Sequence, residues 1–175
     1  MRPRSTVLAA LPALILVTSA HAQAADRTNT ADIPPRHYDI VSRVESLDGA
    51  ERTVDQDTKI TYGLQAQVLF GKDSATLSDQ AQKHLDAIAA KIAASGTTEA
   101  VQVNGYTDDL GGEAHGLVLS RGRAEAVRNV LSKNPSLSAV RFTVAGFGEK
   151  HPIADNKSES GRVKNRRVEI VVTKS

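Results

Sequence analysis

The chain has 175 residues, 40% of them hydrophobic, with 22 Lys+Arg, 20 Asp+Glu and no cysteine. That length leaves room for one domain with a real core and an exported leader, and the absent cysteines exclude a disulfide-stapled miniprotein. Two of the 22 basic residues, Arg2 and Arg4, fall in the leader, so the remainder carries 20 basic against 20 acidic residues and no nucleic-acid partner is expected.

Arg2 and Arg4, an apolar run from Val7 to Val17, and the small-residue sites Ala20-His-Ala22 or Ala22-Gln-Ala24 follow the order of a secretory signal peptide. Residues 1–24 are therefore set apart from the fold. The run is shorter than the roughly 20 residues that span a bilayer, and none follows it, so the mature chain is not expected to span a membrane. Without a cysteine to carry lipid, the expectation is a soluble protein exported to the periplasm or cell wall.

Residues 25–59 read as an N-terminal arm and extra β-strands. Ala25 to Pro35 is polar and aperiodic, a spacer and a candidate contact for an envelope protein partner. Tyr38, Ile40, Val41 and Val44, then the turn signal Asp48-Gly49 before Arg52-Thr-Val54, predict a hairpin or edge strands. From Lys59 to Phe70, Ile60, Tyr62, Leu64, Ala66, Val68 and Phe70 alternate with Thr61, Gly63, Gln65, Gln67 and Leu69, predicting one long strand.

Ser78 is a good N-cap, and Leu77, Ala81, Leu85, Ile88, Ala89 and Ile92 form one helical face that stops at Ser95-Gly96. Val101 and Val103 alternate with Gln102 and Asn104 as a second strand, and Gly111-Gly112 mark a turn. The period then becomes helical. Leu119, Ala124, Val127, Val130 and Leu131 share a face, with Ser120, Glu125 and Arg128 mostly off it, until Asn134-Pro135 closes the helix. Val140, Phe142 and Val144 predict a third strand ending in the turn Gly146-Phe-Gly148. Asp155 to Gly161 reads as a surface loop, Arg162 to Arg167 as a solvated basic face, and Val168, Ile170 and Val172 as the closing strand. The sum is an α/β fold with two helices on one face of a mixed sheet.

Arg123 breaks the pattern. It lies four residues after Leu119 and four before Val127, so a helix projects it from the apolar stripe, and a guanidinium there needs an anion. Asp108, at the end of the second strand, is the candidate. A carboxylate and a guanidinium on the rim of a cleft would fit a zwitterion, ammonium toward Asp108 and carboxylate toward Arg123.

Gly105-Tyr-Thr-Asp108, Gly111, Leu119-Ser120, Arg123-Ala124, Val127, Leu131 and Asn165-Arg-Arg-Val-Glu-Ile170, in order from about Val68 to Val172, resemble the OmpA-like C-terminal domain. That family includes the peptidoglycan-associated lipoproteins and the flagellar motor stators. The resemblance implies a βαβαββ domain over residues 60–175, helices packed on a mixed sheet, and non-covalent peptidoglycan binding through the diaminopimelate of the stem peptide. It places the family's aspartate and arginine on Asp108 and Arg123, its second arginine on Arg166, and its motif threonine on Thr107. In the loop after the first strand Gly71 stands where many relatives are acidic, so only Asp73 is carried over. Gly116 replaces a usual asparagine, and Gly122 interrupts the helix that carries Arg123 at a cost of about 0.5–1 kcal/mol relative to alanine. The alternative is a structural or protein-interaction envelope domain whose cleft has degenerated.

An enzyme is not expected, and neither a cofactor nor a metal. Asp108, Asp109, Glu113, His115 and His151 match no zinc spacing, His84 has no second ligand, and there is no Gly-x-Ser-x-Gly elbow or cysteine nucleophile.

Overall fold

The alternating stretches of the sequence pair into one six-stranded sheet. The computed structural model describes residues 41–46 and 49–174. The leader, the polar arm, His37 to Ile40 and Asp48 of the turn signal lie outside the described residues. In chain order the elements are β1 (Ser42–Glu45), β2 (Glu51–Asp55), β3 (Lys59–Gln65), a helical turn α1 (Ala66–Leu69), α2 (Ala81–Ser95), β4 (Val101–Tyr106), α3 (Glu113–Leu131), β5 (Phe142–Gly146), α4 (Glu159–Asn165) and β6 (Arg167–Thr173). The sheet order is β1-β2-β3-β6-β4-β5. β6 runs antiparallel between β3 and β4, whereas β4 and β5 are parallel. Parallel neighbours need a crossover, and α3 supplies it.

Tyr62 and Leu64 of β3, Val101 and Val103 of β4, and Val168, Ile170 and Val172 of β6 are buried on one face. Against them lie Ala81, Leu85, Ile88, Ala89 and Ile92 of α2 and Ala124, Val127 and Leu131 of α3. The predicted face of α2 is the observed one. Its start differs: the helix begins at Ala81, and Ser78 caps it from outside, its hydroxyl and carbonyl both accepting the Ala81 N–H. Gly96, at φ 63°, ends it in the left-handed region.

The predicted long strand breaks at Gln65. Gln65 is the last residue paired with β6, and the next N–H, of Ala66, donates to the carbonyl of Arg166 at 2.8 Å. Ala66, Leu69 and Phe70 are all buried, a spacing of i, i+3 and i+4 that a helical turn satisfies and alternation does not. Strict alternation would have turned Leu69 to water.

The stretch read as a polar loop also contains a helix. Ser158 accepts the Gly161 N–H and opens α4, and the fully buried Asn165 closes it. The Asn165 amide accepts the N–H groups of Ile153 and Ala154 and donates to the Ala154 carbonyl and the Asn156 side chain, folding residues 153–156 back onto α4. Seven residues without an apolar stripe hide such a helix from periodicity.

α3 meets the sheet backbone to backbone. Gly105 of β4 and Gly146 of β5 are register partners. A Cβ on Gly105 would sit 2.0 Å from the Ser120 carbonyl oxygen, and one on Gly146 2.6 Å from the Arg121 backbone nitrogen. Ser120, expected off the apolar face, is fully buried over this pair; its hydroxyl accepts the Gly148 N–H and donates to the Leu117 carbonyl. Gly105→Ala should lose about 3 kcal/mol or more, or fail to fold, because helix and sheet must part. Gly96→Ala, strained at positive φ but meeting nothing within 4 Å, should cost about 1–2 kcal/mol. Denaturant unfolding of the two variants checks the contrast.

Candidate functional site

A cleft of about 780 Å³ opens where β4 ends and the first half of α3 passes over it. Thr107 and Asp108 follow β4; His115, Gly116, Leu119 and Arg123 come from α3; Phe70 to Asp73 form a strap after α1; Glu159 and Arg166 come from the two ends of α4. The five residues singled out in the sequence, Asp73, Thr107, Asp108, Arg123 and Arg166, therefore line one cavity. They are not paired as expected.

Asp108 is bonded to Arg166 rather than to Arg123. Its Oδ2 accepts Arg166 Nη1 at 2.5 Å, and its Oδ1 accepts the Leu110 N–H at 3.3 Å, which sets the loop that follows. Arg166 Nη2 donates to Glu159 Oε1 at 2.5 Å, and Glu159 Oε2 lies 2.8 Å from Arg162 Nη2. Carboxylates and guanidinium groups thus alternate from Asp108 through Arg166 and Glu159 to Arg162. Burial works to lower the Arg166 pKa, but the bonds from Glu159 and Asp108 outweigh it and raise it above the ordinary value. The same chain holds Glu159 below the ordinary carboxylate value, through Arg166 first and then Arg162.

Arg123 is 4% exposed. Its Nε donates to the Ser74 carbonyl at 2.9 Å, and its guanidinium carbon lies 5.4 Å from the centre of the Phe70 ring. Its two terminal nitrogens have no protein partner among the described residues and are not sealed from solvent. Burial lowers the pKa of this guanidinium, Asp73 and Asp108 oppose that, and Arg166 adds to it. It remains charged, since arginine does not deprotonate in proteins. The zwitterion geometry read from the sequence changes accordingly: Asp108 already has a cation, and Arg123 is the guanidinium with donors to spare.

Thr107 is fixed by its N–H, which donates to the Gly148 carbonyl at 2.8 Å. Its hydroxyl makes no bond among the described residues, and Gly116 keeps it open, since a Cβ at 116 would come within 3.1 Å of that oxygen. Asp73, at a left-handed φ of 49°, places Oδ1 2.7 Å from His115 Nε2. Both side chains are exposed at the rim.

Sequence reasoning missed Glu159, His115 and the Ser74 carbonyl as parts of this site. Glu159, Arg162 and Arg166 stand at i, i+3 and i+7, a helical face that a search for charge spacing would have found. The Ser74 carbonyl carries no side-chain signal. The basic run from Arg162 to Arg167 is also not a solvated face. Arg167 points away from the cleft, 3.8 Å over the Tyr106 ring and bonded to Glu169, and is buried. Burial and then Glu169 push the Tyr106 pKa up to about 12.

A family model for the OmpA family matches residues 69–166, which spans α2, β4, α3, β5 and α4 together with the whole cleft. The chain belongs to the OmpA family. The outer-membrane lipoprotein YfiB of Pseudomonas aeruginosa is 36% identical over 111 residues, 63% of this chain and 65% of that protein. The peptidoglycan-binding protein ArfA of Mycobacterium tuberculosis is 38% identical over 105 residues, 60% of this chain and 32% of that protein. The cell wall anchor of the T6SS from P. aeruginosa superposes with a TM-score of 0.64 at 29% identity, covering 72% of this chain and 89% of that one. These OmpA-family matches bear out the fold expected from the sequence.

They also correct one expectation. The reading of a soluble protein without a lipid anchor rested on missing cysteines, and it is overturned by a relative that carries this domain as an outer-membrane lipoprotein. The absence of one residue type in the sequence does not place an OmpA-family domain free in solution. Among the described residues no helix is long and apolar enough to cross a membrane.

His115 bonding is the first cause of a lowered Asp73 pKa, ahead of its charge and those of Arg123 and Lys72. A depressed carboxyl contributes stability above its unfolded value of 3.8 and loses it as pH falls through the lower folded value. Carboxyl-carbon NMR should therefore show Asp73 titrating below 3.8, and His115→Ala should move it upward. An unchanged Asp73 curve in that variant would remove the contact from the solution structure.

Proposed function

We propose that this cleft binds peptidoglycan non-covalently, taking the diaminopimelate of the stem peptide. One observation carries the reading: Arg123 is buried, permanently charged, and has terminal donors in the cleft wall with no protein acceptor among the described residues. A buried guanidinium is costly until an anion meets it, and a planar fork matches a carboxylate. The carboxylate at the far end of diaminopimelate meets that fork. The ammonium beside it turns to Asp108, whose oxygens each keep a lone pair after accepting Leu110 and Arg166. The Thr107 hydroxyl lies next to Asp108 in the chain and on the same wall, ready to bond either group.

Two relatives support the reading, one described as peptidoglycan-binding and one as a cell wall anchor. The proposed role is retention of the protein on the wall, with no bond made or broken. Lysine in place of diaminopimelate keeps the ammonium but lacks the carboxylate, so Arg123 would distinguish the two.

Arg123→Ala and Asp108→Ala should each lose about 2–5 kcal/mol in affinity for isolated sacculi, the usual cost of truncating one partner of a desolvated charge contact. Co-sedimentation below the melting temperature of each variant measures this. Stability should fall less, by about 1–3 kcal/mol for Asp108→Ala, because Arg166 keeps Glu159. Sacculi that still sediment either folded variant, or a lysine-type stem peptide that binds as tightly as the diaminopimelate one, would overturn the proposal.

A further inference from the structure

Arg166 is held by two carboxylates that are placed with unequal firmness. The Asp108 side chain is 9% exposed and tied to the Leu110 N–H by its other oxygen; the Glu159 side chain is 61% exposed. Glu159 also has a second cation. Its Oε2 lies 2.8 Å from Arg162 Nη2 and accepts Arg162 Nε at 2.9 Å, so when Oε1 leaves Arg166 the carboxylate keeps a partner. Exposed ion pairs contribute little and exchange readily, whereas breaking the Asp108 contact would leave a carboxylate in a nearly dry wall. The contact that exchanges at low cost in this chain of charges is therefore the one between Arg166 Nη2 and Glu159 Oε1.

We propose that Glu159 is a built-in competitor at a second carboxylate subsite: Arg166 Nη2 trades Glu159 for a carboxylate of the ligand while Asp108 stays bonded. This rests on the diaminopimelate reading and specifies it further. Arg123 takes one ligand carboxylate and Arg166 a second, so the ligand class is a peptide with two carboxylates and an ammonium. In a diaminopimelate stem peptide the second carboxylate is the α-carboxylate of the γ-linked glutamate attached to the diaminopimelate. Amidation of that group leaves nothing able to displace Glu159. The cleft is then selective for unamidated stems, and Glu159 sets how strongly, because every ligand carboxylate that reaches Arg166 must first remove it.

The test uses the full chain and two synthetic diaminopimelate tripeptides, identical except that the glutamate α-carboxylate is free in one and amidated in the other. Calorimetric titration of wild type and Glu159→Gln gives four affinities. The substitution should tighten the free-carboxylate peptide about three- to tenfold, the worth of one exposed ion pair, and change the amidated peptide less than twofold. Glu159→Ala should reproduce the result and exclude an effect of the glutamine amide; melting curves confirm that both variants fold. An equal change for both peptides, or none for either, overturns the competitor role and leaves the diaminopimelate reading standing. Failure of wild type to bind either peptide overturns that reading, and this inference with it.

Discussion

The site depends on the absence of two side chains where α3 crosses the sheet. Gly105 and Gly146 face each other across the parallel pair β4 and β5, and the Ser120–Arg121 backbone rests on them. With Cβ atoms there, α3 would ride out to the usual helix-to-sheet spacing of about 10 Å and pull Arg123 away from the strand ends. Contact at this point has a second consequence. Residues that follow β4, Thr107 and Asp108, come to lie beneath the first half of α3, so a guanidinium one turn past Ser120 shares a cavity with a carboxylate three residues past Gly105. The Ser120 hydroxyl, bonded to the Gly148 N–H, ties the β5 turn into the same junction.

Charge buried at such a junction must be compensated, and the two arginines are handled differently. Arg166 is fully neutralised, between Asp108 and Glu159. Arg123 is only partly so: one backbone carbonyl and one aromatic face attend to it, and the carboxylates Asp73 and Asp108 act on it through space. A fold that only needed stability would gain from an apolar residue at 123, given that apolar replacements of buried charges are often neutral or stabilising. Its retention beside an open cleft is what a ligand site looks like in energetic terms: burial of the cation is costly in the free protein, and that cost is offset when an anion arrives.

Much of this was legible in the sequence, unevenly. The core faces of α2, α3 and β6 follow from apolar spacing, because burial there demands nothing else of a side chain. Arg123 was visible for the converse reason, as a charge on an apolar stripe. The partners of Arg123 and Asp108 were not visible. Asp108 was matched with the guanidinium of the facing helix, but Arg166 reaches it from 58 positions away, at the junction of α4 and β6. Ser120 was misplaced because a hydroxyl bonded to backbone on both sides can sit in a core, and hydropathy alone cannot tell that from a solvated serine. The strand to Phe70 was overextended because a helical turn of four residues also buries alternate-looking positions.

The departures from the family pattern take on a different meaning once packing is considered. A glycine inside α3 at position 122 reads as a loss of about 0.5–1 kcal/mol and of rigidity. A Cβ there would lie 3.3 Å from the Cβ of Ala75, tighter than most such contacts, so any larger residue pushes back the strap. That strap also holds Ser74, whose carbonyl takes Arg123 Nε, and Asp73, which meets His115. Close approach at Gly122 is thus what lets one backbone carbonyl serve as the internal acceptor of Arg123. Orientation follows from that bond: with Nε directed at Ser74, the planar guanidinium has its terminal nitrogens left for the cleft. The helix-interior glycine weakens the helix locally and fixes the direction of the one side chain on which recognition rests.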